Sequence, residues 1–230
     1  MKIGDKWRVI GWDKAMPEQR VGDRQKYAVV QVRLTNDRTL TCVSKPGDTA
    51  AEAFRIAACK MVMPDLPVQD MYLDEKGCGY SQYAGADYEQ TLFYKGVFSM
   101  DPFKAGQLLG ARLACNCLDM SDDLLIQKGD ARHRDGRLVD FGGLHMPVPF
   151  GLFQHVVQQI VAQMMVRDRY HQFRAGVNDA VNRFALTPVT AYEGLAQQMF
   201  PETGGDDDVK RNITYFASGH YRQSLPFLGL

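Results

Sequence analysis

The stretch from Pro149 to Phe184, PFGLFQHVVQQIVAQMMVRDRYHQFRAGVNDAVNRF, constrains the fold more than any other part of the chain. Phe153, Val157, Ile160 and Met164 recur at helical spacing, and Val156, Val161 and Met165 widen the apolar stripe. A second series, Phe173, Val177, Val181 and Phe184, continues the pattern beyond a polar and aromatic interruption, Arg167-Asp168-Arg169-Tyr170-His171. The spacing predicts either one long helix that bends at the interruption or two helices that meet there. Gly176 is the expected weak point, because glycine destabilises a helix interior. So much continuous apolar surface must be buried, so this segment is expected to form the main wall of the core.

The N-terminal region has a different period. Trp7 to Trp12 and Tyr27 to Leu34 read as strands, the second alternating Val30, Val32 and Leu34 against Gln31 and Arg33. Thr35-Asn36-Asp37-Arg38 predicts a hairpin turn, since Asn and Asp tolerate turn geometry, and Thr39 to Ser44 returns as the partner strand. Asp48 or Thr49 is placed to cap a helix over Ala50 to Met63, whose alanines (50, 51, 53, 57 and 58) permit close approach to a sheet. This β-β-β-α order is shared with double-stranded-RNA-binding modules, but TAAEAFRIAAC lacks the Lys-rich helix start with which those grip phosphates.

Between residues 65 and 88, Pro64, Pro67, Gly77, Gly79 and Gly85 break any period, and an ordered loop carrying Tyr80, Tyr83 and Tyr88 is expected. Thr91 to Met100 reads as a strand disturbed at Gly96. Asp101-Pro102 predicts a helix start, Asp as N-cap and Pro in the first turn, running through Leu109. Thr190 and Glu193 have capping-box spacing for a helix ending before Pro201. Gly204 to Asp208 reads as a solvated loop, and Ile213 to Ser218 as a last short strand or helix. The fold class is therefore α+β: a small antiparallel sheet with an N-terminal β-β-β-α unit and a mainly helical C-terminal half. The expected organisation is 1–64, a mixed loop-rich region over 65–148 and a helical region over 149–230, together one globular unit.

Several classes of function are disfavoured. No apolar run approaches the roughly 20 residues that cross a bilayer, and the charged start MKIGDKWRVIGWDK does not resemble a secretion signal. Five cysteines without regular spacing suggest reduced thiols in a cytoplasm. His133-Arg134-Asp135 and Asp140-Phe141-Gly142 spell two protein-kinase triplets. They lie too close together, and no Gly-rich loop or strand Lys precedes them, so kinase chemistry is excluded. Cys115-Asn116-Cys117 is the one close cysteine pair to consider for a metal, with Cys78 and His133 as residues that could complete a tetrahedron. A single intervening residue is unusual for structural zinc, and buried thiols are the simpler reading. No nucleophile elbow, phosphate-binding loop or dinucleotide fingerprint is present, so no catalytic residue and no cofactor are expected.

Charge supplies the remaining signal. The chain is neutral overall, which argues against strong non-specific DNA binding. Residues 128–174, however, carry seven Lys and Arg against four Asp and Glu. Within them, Arg132, His133, Arg134 and Arg137 form one cluster. Arg167, His171 and Arg174 share a helical face, with Tyr170 beside them. If the fold brings the two groups together, they make a cationic patch with aromatic edges, suited to phosphates and unstacked bases of single-stranded or duplex nucleic acid. The competing reading is a solvated helix surface whose cations pair with Asp168 and Asp130.

From Ala111 onward, ARLACNCL, the basic ARHRDGR, the long helical stretch and RFALTPVTAYEGLAQQMFPE resemble phage- or plasmid-encoded proteins of unknown function. The resemblance covers the last half of the chain and carries over no functional residue. It implies a mobile-element origin and a bacterial host cytoplasm. The leading expectation is a non-enzymatic accessory protein that binds nucleic acid through the basic-aromatic patch. The alternative is an assembly component that contacts a host or phage protein, or its own copies. An enzyme built around Cys115, Cys117 and His133 comes third.

Overall fold

The alternation at Val29–Leu34 produces the strand it predicts: Val30, Val32 and Leu34 are buried, Gln31 is half-buried and Arg33 is exposed. The structure, a computed structural model, describes every residue except 1, 15–18, 21–25, 46–48, 84–87, 93–95, 116–122, 128–136 and 139–149. Its topology is α+β, and the chain divides into two compact units. The first is Met1–Ala58, Gln69–Gly85 and Thr190–Ile213; the second is Cys59–Val68, Ala86–Val189 and Thr214–Leu230.

In the first unit, β1 (Val9–Lys14), β4 (Val29–Leu34), β5 (Thr39–Lys45), β7 (Gly79–Gln82) and β6 (Met71–Leu73) lie in that order in one antiparallel sheet. A short hairpin joins β2 (Gln19–Arg20) to β3 (Lys26–Tyr27). The β4–β5 turn is closed by Asp37 at φ 60°, with the Asn36 side chain accepting from the Arg38 amide at 3.3 Å. The sheet curls until its edges touch, through one parallel bridge between Arg8 and Leu73. Val9, Val30, Val32, Leu34, Cys42, Tyr72 and Tyr80 fill the inside of the curl.

The 65–88 region differs from the expected loop, because it supplies β6 and β7. Asp74 makes that hairpin. One carboxylate oxygen accepts from the amides of Lys76 (2.9 Å) and Cys78 (3.0 Å), and the other accepts from the Tyr80 hydroxyl (3.0 Å). Thr49 precedes α1 (Ala50–Val62), but its hydroxyl donates to the Gly77 carbonyl at 3.0 Å instead of capping the helix. The 204–208 segment is also more ordered than a solvated loop. Gly204 and Gly205 turn at positive φ, and Asp206 accepts from the Val209 amide at 2.8 Å, capping a helix over Asp207–Ser218.

In the second unit, β8 (Tyr88–Leu92), β9 (Asp123–Gln127) and β10 (Arg137–Leu138) form a three-stranded antiparallel sheet. The expected strand through Met100 stops early: Val97–Ser99 is a 3-10 turn. α2 (Pro102–Ala114) begins as its sequence predicts, with Asp101 accepting from the Lys104 amide at 2.9 Å, but it runs past Leu109. α3 (Phe150–Val166) and α4 (Tyr170–Leu186) follow, so the long apolar stretch is two helices. In the first unit, α5 (Val189–Met199) starts one residue before Thr190, which puts Thr190 inside its first turn and not at a capping position. The 207–218 helix is α6. No helix among the described residues is long and apolar enough to cross a membrane.

Three glycines set the packing of α2 on α4. A Cβ on Gly106 would stand 2.0 Å from the Phe173 carbonyl oxygen, and one on Gly176 would stand 1.9 Å from that of Phe103. Gly106 meets Phe173 and Val177, while Gly110 meets Val177 and Ala180, so the two helices run parallel with their backbones in contact. Their N-terminal ends therefore point the same way, and their dipoles add positive potential at one end of the pair.

Candidate nucleic-acid interface

The break between α3 and α4 lies at Asp168, and Gly176, the expected weak point, sits within intact helix. The Arg169 amide donates to the Met164 carbonyl at 2.8 Å and the Asp168 amide to that of Met165 at 3.1 Å, while Asp168 itself adopts φ 55°. This pair of bonds around a left-handed residue is the Schellman ending of a helix, with Asp where glycine is usual. The turn delivers Arg167, Arg169, Tyr170 and His171 together at the start of α4. Arg169 occupies the N-cap position and provides no side-chain cap, so the first amides of α4 have no capping side chain.

Two arginines take hold of one residue of the preceding segment. The Arg167 guanidinium carbon stands 5.1 Å from the centroid of the Phe98 ring, and Arg169 Nη1 donates to the Phe98 carbonyl at 3.2 Å. The Tyr170 hydroxyl donates to the Gly229 carbonyl at 2.7 Å, which fixes its ring, and His171 packs edge-on against it with centroids 5.8 Å apart. Arg174 follows Tyr170 by one helical turn and is exposed. Apolar surface adjoins these cations in the chain: Met165 is 55% and Val166 83% exposed, and Phe103 at the start of α2 is 39% exposed.

Among the described residues, Arg167, His171 and Arg174 form no ion pair with any carboxylate. The expected pairing with Asp168 is not present, and Asp130, the other expected partner, lies outside the described residues. Three other arginines are paired with nearby carboxylates, Arg8 with Asp5, Arg183 with Asp179, and Arg211 with Asp208, whereas exposed Arg33, Arg38 and Arg222, like Arg167 and Arg174, form no ion pair among the described residues.

Of the expected residues, Tyr170, His171 and Arg174 lie in the first turns of α4, and Arg167 lies before the Asp168 break, off the helical face expected for it. Arg132, His133 and Arg134 lie outside the described residues, and Arg137 is described only as a backbone position of β10. Phe98, Phe103 and Arg169 were not foreseen. Phe98 was hidden by the strand expected over 91–100, and Arg169 falls off the helical face that singled out its neighbours. Of the metal candidates, Cys115 is fully buried, while Cys117 and His133 lie outside the described residues. No group of three His, Cys, Asp or Glu side chains that could hold a metal occurs among the described residues. Cys42 is unsuited to nucleophilic work, since burial, and then the neighbouring Asp70 charge, push its thiol up to about 12.

No protein-family model matches the chain, and comparison with curated protein sequences gives no match.

Proposed function

We propose that the chain is a non-enzymatic accessory protein of phage or plasmid type. In this reading it binds the phosphate backbone of nucleic acid at the α3–α4 turn, through Arg167, Tyr170, His171 and Arg174. Arg132, His133, Arg134 and Arg137 are further contacts, and the host cytoplasm is the place of action. One observation carries the reading: among the described residues Arg167 and Arg174 have no carboxylate partner, while Arg183 on α4 has one. An unpaired guanidinium at the surface keeps its full capacity for a phosphate, and uncapped helix amides add to the attraction.

The test is an oligonucleotide titration by fluorescence anisotropy at rising salt. Binding should weaken steeply, because each phosphate contact releases counterions. No binding at low salt removes the proposal.

A second reading has its own support in the first unit. Ile10 and Trp12 on the terminal strand β1 are 46% and 54% exposed, which suits a protein contact. On that reading mass rises with concentration, and replacing Trp12 with Ser abolishes the rise.

A further inference from the structure

Resting on the nucleic-acid reading, we infer that the strand taken at the α3–α4 turn is single, and that one of its bases stacks on the Arg167 guanidinium. Phe98 backs one side of that guanidinium at 5.1 Å, and Arg167 is otherwise exposed. A planar cation held against a ring offers its other face as a flat platform of about the size of a base. In a duplex each base face is covered by its neighbours, so the platform has nothing to receive; in a single strand the faces are free.

The support for the platform is built in. Arg169 holds the Phe98 carbonyl at 3.2 Å, so both the ring and the chain that carries it are tied to the turn. The charge of the turn is also modest. Arg167 and Arg174 are its exposed guanidiniums, His171 lies beside them, and Asp168 lies between Arg167 and His171 in the chain. Binding to a duplex by charge alone grows with the number of phosphates neutralised, and two exposed guanidiniums at this turn can meet few of them. Stacking adds affinity without adding charge, and the exposed Met165 and Val166 extend the apolar surface next to the platform.

The experiment compares four labelled probes of about 20 nucleotides at about 50 mM salt: single-stranded DNA and RNA of one sequence, and the matching duplexes. The single strands should bind at least about tenfold more tightly than the duplexes, with DNA and RNA alike, since stacking ignores the sugar. Arg167→Lys keeps the charge and loses the plane, so it should weaken single-strand binding at least about fivefold while leaving the salt slope unchanged. Phe98→Leu should do the same, and the exposed Arg167→Lys keeps the test valid if Phe98→Leu fails to fold.

Equal or tighter duplex binding, a neutral Arg167→Lys, or a more than about tenfold preference for one sugar overturns the inference. If Arg174→Ala still weakens binding in those cases, the proposed function survives. Absence of binding to all four probes defeats both.

Discussion

The two ends of α4 use arginine in opposite ways. Near its C-terminus, Arg183 Nε lies 3.0 Å from the Asp179 carboxylate, which also accepts from Gln107 Nε2 on α2 at 2.8 Å. There the guanidinium is spent on holding the helix pair together. Near the N-terminus, Arg167 lies on the Phe98 ring, Arg169 binds a carbonyl, and Arg174 has no partner among the described residues. The difference is already determined by spacing. Asp179 stands four residues before Arg183, whereas the positions four before and four after Arg174 are Tyr170 and Asn178. One end is paired to a carboxylate within the chain; at the other, Arg174 has no partner among the described residues.

The largest effect expected on this contrast comes from the scaffold that carries both ends. Gly176→Ala forces a methyl against the Phe103 carbonyl oxygen, where a Cβ would stand at 1.9 Å. It should cost on the order of 3 kcal/mol by urea unfolding, because backbone on both sides leaves no flexible side chain to yield. A loss within about 0.5 kcal/mol would show that the helices are not held as closely as described.

Next in size, Arg167→Ala with Arg174→Ala should reduce oligonucleotide affinity by about tenfold or more and change unfolding stability by less than about 0.5 kcal/mol. Arg183→Ala should do the reverse: unchanged affinity and a stability loss of about 0.5 kcal/mol, the usual value of a helical ion pair. Equal binding losses at both ends would erase the contrast.

The smallest effects come from Asp168. Asp168→Gly relieves its left-handed backbone and should stabilise the protein by up to about 1 kcal/mol. Asp168→Asn tolerates the same φ and removes only the negative charge. It should raise affinity about twofold to fivefold with little change in thermal midpoint, because a repulsive carboxylate leaves the turn. Weaker binding by Asp168→Asn would mean that the carboxylate takes part in recognition.

How much of this was legible depends on the range of the interactions involved. Val29–Leu34 and its hairpin follow from local alternation and turn chemistry, and the start of α2 follows from Asp101-Pro102. The site of the break in the long helical stretch was legible too, but its cause was misassigned. Gly176 is small so that α2 can approach, and the break belongs to Asp168. Gly110 is likewise a packing position, against Val177 and Ala180, inside a helix that runs on to Ala114.

β6 and β7 escaped because Met71, Tyr72 and Leu73 are all buried, leaving no alternation to detect, and because Pro and Gly frame them. Asp74 was the available sign, a turn residue ahead of Lys76 and Gly77. For the interface, helical spacing placed His171 and Arg174 on α4, but Arg167 lies before the Asp168 break and outside the helical face expected for it. The platform under Arg167 depends on Phe98, far away in the chain, and on the 3-10 turn that replaced an expected strand.

The most direct test follows the arginine Nε–H signals by NMR as an oligonucleotide is added. Those of Arg167 and Arg174 should shift and that of Arg183 should stay in place. If all three stay in place at low salt, or Arg183 moves as far as the others, the contrast between the two ends of α4 is contradicted.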